Sequence, residues 1–185
     1  MTGDDLFEAF ITRLSTNGDA AGIWWNKWNT KRWTSTLTAA TADAVLSVVP
    51  GPNAKREVAA KGRRDRYRRS EYLSLDVIGY QNDWGPPLVA VELENTAWKP
   101  KYCAWKLLSV DARLRVLIAY VDPAGNHPKY KANAADLVAD LREVTAAQPG
   151  KGLHLFCGEW GADPRGSEGW RAVFSHHVVA DDALP

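Results

Sequence analysis

The stretch PLVAVELENTAW, residues 87–98, reads as a strand of a sheet interior that carries Glu92 and Glu94 in the middle of its apolar run. Side chains at i and i+2 of a strand leave the same face roughly 7 Å apart, so the two carboxylates project together while Val89, Val91 and Leu93 pack behind them. Upstream, EYLSLDVIGY at 71–80 alternates, with Leu73, Leu75 and Val77 on one face and Tyr72, Ser74, Asp76 and Ile78 on the other. That pattern predicts a second strand. Between the two lies NDWGPP, whose turn chemistry predicts a hairpin with an irregular loop and brings Asp76 toward the two glutamates.

The remaining segments supply the rest of an α/β architecture. KYCAWKLLSVDA reads as a helix, LRVLIAYV as a strand buried on both faces, and NAADLVADLREVTAAQ as an amphipathic helix closed by Pro149 and Gly150. LHLFCGEW and WRAVFSHHVV predict two further strands. Before the hairpin, LFEAFITRL follows Asp4 and Asp5 as an acidic N-cap, and residues 36–48 read as a helix stopped by Pro50 and Gly51. The expectation is a mixed central sheet flanked by helices in one domain of 185 residues, with an N-terminal helical, Trp-rich extension over 1–50 and a core over 71–180.

Two like charges about 7 Å apart at an effective dielectric near 20 repel by roughly 2 kcal/mol, and burial adds a desolvation cost. Three offsets are available: a raised pKa on one acid, a nearby cation, or a divalent metal. An oxygen-only cluster of Asp76, Glu92 and Glu94 suits Mg²⁺, or Mn²⁺ in its place, which keeps waters and completes its shell with phosphate oxygens. The alternative is that Glu92 and Glu94 face solvent on a half-exposed sheet and pair with Lys or Arg across strands.

The formal net charge of +1 hides an uneven distribution. Residues 55–69 hold eight Lys or Arg against Glu57 and Asp65, a net +6, which leaves −5 for the rest of the chain. Such asymmetry suits one surface meeting a polyanion, with Arg63, Arg64, Arg66, Arg68 and Arg69 as phosphate contacts; a solvated loop is the plainer alternative. No apolar run spans a membrane and the N-terminus lacks a signal-peptide pattern, so the expectation is a cytoplasmic protein. Cys103 and Cys157 have no CxxC or His partner and read as reduced core thiols.

An Asp on one strand, a turn, Glu-x-Glu on the next, then a helix and a buried strand resembles the restriction-endonuclease-like superfamily with its PD-(D/E)xK core. The likeness spans residues 71–121. It implies that Asp76 and Glu92 hold Mg²⁺ and that the third position, usually Lys, is Glu94 here, as in some members. Leu75 rather than Pro precedes Asp76. Lys106 is a candidate for a lysine relocated to the following helix, ahead of Lys99 or Lys101, and Glu8 or Asp43 could supply an acid from an N-terminal helix. The resemblance implies a metal-dependent nuclease acting on DNA more than RNA, with Glu94 or Lys106 orienting the attacking water. A dimer would serve to cut both strands.

The rival expectation is a nuclease-like fold with a degenerate site that binds nucleic acid or protein. Trp24, Trp25, Trp28 and Trp33 could dock a partner or stack bases, with Lys27, Lys31 and Arg32 among them, or form a secondary core. His176 and His177 fall on opposite faces of a strand and do not share a metal, while His127 and His154 lack ligand partners at useful spacing. No GxSxG, GxxxxGK or GxGxxG occurs, which argues against a serine hydrolase, a P-loop NTPase and a dinucleotide enzyme.

Overall fold

The computed structural model describes residues 1–25, 30–49, 57–60, 75–81 and 85–181. Its elements run α1 (Gly3–Thr16), α2 (Ala20–Trp25), α3 (Thr30–Val48), β1 (Glu57–Ala60), β2 (Val77–Tyr80), β3 (Val89–Leu93), α4 (Pro100–Leu108), β4 (Leu114–Val121), α5 (Ala134–Ala146), β5 (Leu153–Glu159) and β6 (Phe174–Ala180), with a 3₁₀ turn at Gly169–Ala172. The six strands form one mixed sheet whose spatial order follows chain order. β1, β2 and β3 make an antiparallel meander, β3, β4 and β5 are parallel, and β6 returns antiparallel to β5.

Parallel neighbours need crossovers, and here α4 links β3 to β4 while α5 links β4 to β5. Successive right-handed crossovers stepping in one direction leave their helices on one face. Accordingly Leu107, Leu108 and Leu141 pack with Ile78, Leu117 and Leu155 on that side of the sheet. α1 and α3 cover the other side, where Phe10, Leu14 and Val45 join Val91, Val116 and Ile118 in a second cluster. Every residue of β4 is buried, as its unbroken apolar run predicts for a central parallel strand.

The N-terminal helices are therefore one of the two covering layers rather than an appendage. α1 starts earlier than the acidic pair suggests. Thr2 is the N-cap, and it exchanges hydrogen bonds with Asp5 in a capping box: Asp5 N donates to Thr2 Oγ1 at 3.2 Å and Thr2 N to Asp5 Oδ2 at 2.7 Å. α3 likewise begins at Thr30, six residues ahead of the expected start. Trp24 and Trp33, 2% and 3% exposed, belong to the core, which answers the docking and stacking expectation for both rings. Trp33 Nε1 donates to Tyr120 Oη and Trp24 Nε1 to the Ala162 carbonyl, each at 2.9 Å, so both indoles are satisfied internally. Trp28 and Lys27 lie outside the described residues.

Cys103 and Cys157 are buried free thiols. Among the described residues no helix is long and apolar enough to cross a membrane.

The seat of α3 on β2 depends on Gly79, because a Cβ built there would lie 2.5 Å from Val45 Cγ1 and 3.2 Å from Val49 Cγ2. Gly79→Ala is expected to cost about 1–3 kcal/mol by overpacking. Urea denaturation should show Val45→Ala recovering part of that loss, so that the double variant is less destabilised than the sum of the singles. Strict additivity would mean that α3 is not seated on Gly79.

Candidate active site

Val77 pairs with Val91 across the β2–β3 ladder, so the next position outward sets Asp76 opposite Glu92. β2 ends its backbone ladder there, and the Asp76 side chain continues it: Leu93 N donates to Asp76 Oδ2 at 2.9 Å. Neither acid reaches bulk water freely, since Asp76 is 9% and Glu92 4% exposed. Because Val89, Val91 and Leu93 face the α1–α3 layer, the alternation of β3 turns Glu92 toward α4.

α4 answers with a cation. Pro100 opens the helix, where its missing N–H costs nothing, and two turns later Lys106 Nζ reaches Glu92 Oε1 at 2.7 Å. The pair is nearly dry, with 15% and 5% of the two side chains exposed. Burial, reinforced by the Asp76 charge, pushes the Glu92 carboxyl up to about 7, against the opposing pull of Lys106 and of the Cys103 thiol. Cys103, one turn before Lys106 on the same helix, is itself pushed well above the usual thiol range by burial and by the Glu92 and Glu94 charges. It acts as a neutral donor here, not as a nucleophile.

Glu94 takes a different course. Its backbone N–H still donates to the Ile118 carbonyl at 2.8 Å, but β3 has ended at Leu93 and the side chain turns into the following loop. There Oε1 accepts from Thr96 N at 2.6 Å and from Thr96 Oγ1, while Oε2 receives the Cys103 thiol at 3.4 Å. The expected trio of Asp76, Glu92 and Glu94 is thus a pair plus a loop-bracing glutamate. Of the candidate lysines, Lys106 is the one at Glu92; Lys101 pairs with Glu143 of α5 at 2.6 Å, and Lys99 sits 4.7 Å over the Trp98 ring. Glu8 pairs with Arg171, and Asp43 is exposed on α3, the layer across the sheet from Lys106. Arg63, Arg64, Arg66, Arg68 and Arg69 lie outside the described residues, although Ala60 and Val77, which flank that segment, are register partners beside Asp76.

Two features escaped the sequence. Asp122, directly after β4, is 2% exposed and accepts from His127 N at 2.6 Å through Oδ2. An acid ending an apolar strand at the C-terminal edge of a parallel sheet is a legible signal, since ligands in such sheets bind at that edge. His154 and His176 are also joined, Nδ1 to Nε2 at 3.0 Å, with His176 Nδ1 2.8 Å from Asp4 Oδ1. Only the β5–β6 pairing brings them together, and linear spacing carries no trace of it.

No protein-family model, curated protein or solved structure matches this chain. The chemistry of the site therefore has to be argued from its own groups. Among the described residues no set of three or more His, Cys, Asp or Glu is disposed to hold a metal ion. Two adjacent carboxylates still meet what Mg²⁺ requires, because that ion takes one or two protein carboxylates and fills its shell with water and phosphate oxygens. The donor set is all oxygen, and the mutual repulsion of Asp76 and Glu92 is the force a cation would relieve.

Glu92 also makes stability depend on pH. Its folded pKa of about 7 lies above the ordinary 4.5, so the native state keeps a proton that the unfolded chain has already lost. Stability contributed by that proton is full below about 4.5, falls through the window up to about 7, and is gone above it. The loss amounts to about 3 kcal/mol. Denaturant titrations of the metal-free protein should show this decline, and Glu92→Gln should flatten it; an unchanged slope in the variant would assign the pH dependence to other groups.

Proposed function

We propose that the protein is a metal-dependent nuclease that hydrolyses phosphodiester bonds, on DNA more than RNA, with a restriction-endonuclease-like arrangement of its catalytic groups. The observation that carries this reading is the buried Asp76–Glu92 pair, set opposite each other where the β2–β3 ladder ends, with Lys106 at 2.7 Å from Glu92. Supporting it, the meander β1–β2–β3 followed by α4 and β4 has the order of elements on which the sequence resemblance rests. Lys106, arriving from α4, offers the cation that Glu94 does not provide at the third position of the motif.

Asp76 and Glu92 would hold Mg²⁺ or Mn²⁺. Such an ion supplies positive charge to the phosphate oxygens and makes water a better nucleophile at neutral pH. Lys106 contributes a fixed ammonium in a nearly dry setting, where it can hold a phosphate oxygen or orient the attacking water. Asp76, tied to the Leu93 amide, stays aligned with Glu92 through that bond. Residues 61–74, which bear five arginines, lie between β1 and β2 in the sequence and are the candidate contacts for substrate backbone.

One observation favours the second reading, a nuclease-like fold that binds nucleic acid or protein without cutting: Lys106 already neutralises Glu92, and Glu94 is committed to Thr96. Cleavage assays separate the two. Purified protein should cut plasmid or single strands only with Mg²⁺ or Mn²⁺, and Asp76→Asn or Glu92→Gln should abolish cutting while leaving binding. Lys106→Met should slow it by about 10²–10⁴. Binding of nucleic acid with no metal-dependent cutting under any of these conditions selects the second reading.

A further inference from the structure

The three most exposed large aromatic side chains among the described residues lie within eight positions of one another, on the loop after β3 and on α4: Trp98 at 71%, Tyr102 at 59% and Trp105 at 52%. Trp24, Trp33 and Trp170, by contrast, are 2%, 3% and 4% exposed. Helical spacing makes Tyr102 the neighbour of both Trp105 at i+3 and Lys106 at i+4 on α4, so the exposed rings lie beside the lysine that reaches Glu92. Tyr102 and Trp105 stack on each other with centroids 6.0 Å apart and 27° between planes.

Trp98 also walls a cavity of about 360 Å³ whose other sides include Thr96, His127, Lys129 and Tyr130. These walls are fixed from behind. Thr96 N is held by Glu94 at 2.6 Å, His127 N by Asp122 at 2.6 Å, and the Tyr130 hydroxyl donates to the Asn95 carbonyl. The cavity thus sits over the C-terminal ends of β3 and β4, braced by the half-exposed Glu94 and the buried Asp122 and lined by rings. Cations stand at its rim: Lys99 over the Trp98 face, and Lys129 exposed on the opposite wall.

Flat aromatic faces open to solvent, with lysines beside them, match a nucleobase and its phosphate. Glu94 and Asp122, which accept from the backbone N–H groups of the lining residues Thr96 and His127, put negative charge behind the cavity; that favours a neutral base inside it, while Lys99 and Lys129 suit the phosphate backbone. Bases in a duplex are stacked on one another and cannot present their faces. We propose that the Trp98 cavity and the Tyr102–Trp105 pair hold unpaired bases next to the carboxylate pair, so that the substrate is single-stranded nucleic acid or the unpaired flap of a duplex. The position of the cut relative to these bases rests on the nuclease reading; the stacking itself does not.

Fluorescence anisotropy of the full chain with a short labelled oligothymidylate and with a blunt duplex, both in EDTA, tests this. The single strand should bind tighter than the duplex, Trp98→Ala should weaken it about tenfold, and Trp98→Phe should keep most of the affinity. An abasic oligomer should bind the wild type as weakly as oligothymidylate binds Trp98→Ala, with the salt dependence unchanged. Equal binding of both nucleic acids with no effect of Trp98→Ala overturns the proposal. So does a dimer in sedimentation that Trp98→Ala disperses, which would give the patch to a second copy. Cleavage is read separately: oligomer binding through Trp98 without Mg²⁺-dependent cutting keeps this site and removes the nuclease, whereas duplex cutting untouched by Trp98→Ala keeps the nuclease and removes this site.

Discussion

A carboxylate on a strand that helices cover on both faces has little contact with water, and Glu92, 4% exposed, is in that position. It needs a partner from the covering layer itself. The β3–α4–β4 crossover delivers one, because a right-handed connection lays α4 over the face toward which Glu92 points, and Lys106 closes the distance to 2.7 Å. Asp76 sets the other limit, since it stands across the ladder from Glu92 and holds the Leu93 amide. The charge balance of three side chains thus couples the end of the β2–β3 meander to the packing of a helix. Removing Lys106 would leave the buried Glu92 carboxyl without its cation, the costly outcome for ion pairs in a dry setting.

How much of this was legible depends on whether the deciding contact is local. The two-fold alternation of β3, the unbroken apolar run of β4 and the amphipathic pattern of α5 each lie within a dozen residues, and each element stands where its pattern puts it. The pairing of Asp76 with Glu92 follows from a hairpin and was also within reach. Glu94 was not, because strand geometry holds only as long as the strand does, and β3 stops one residue before it. Thr2 as the cap of α1 was hidden by the more conspicuous Asp4 and Asp5, although Thr2 and Asp5 have capping-box spacing. The His154–His176 link and the cavity behind Trp98 arise from strand pairing and crossover placement, which no window of sequence contains.

The tryptophans show the same division. Four of the nine lie within residues 24–33, a density that fits docking, base stacking or a secondary core. Two of those, Trp24 and Trp33, instead anchor an aromatic cluster with Tyr120, Trp160 and Trp170, Trp24 lying parallel to Trp160 at 4.8 Å. Trp98 and Trp105, isolated in sequence and followed by Lys99 and Lys106, are the exposed tryptophans among the described residues. Spacing alone does not separate a ring that packs from a ring left in solvent; the layer it faces does.

The sheet is laid down in the order in which the chain is made, each new strand joining the edge left by the last. α1 breaks that sequence. Its Phe7 and Phe10 pack on Phe156 and Phe174, and Asp4 meets His176, all on β5 or β6. α1 therefore carries an oily stripe whose counterpart lies well over a hundred residues further along the chain, so that stripe has nothing to cover it until β5 and β6 have been made.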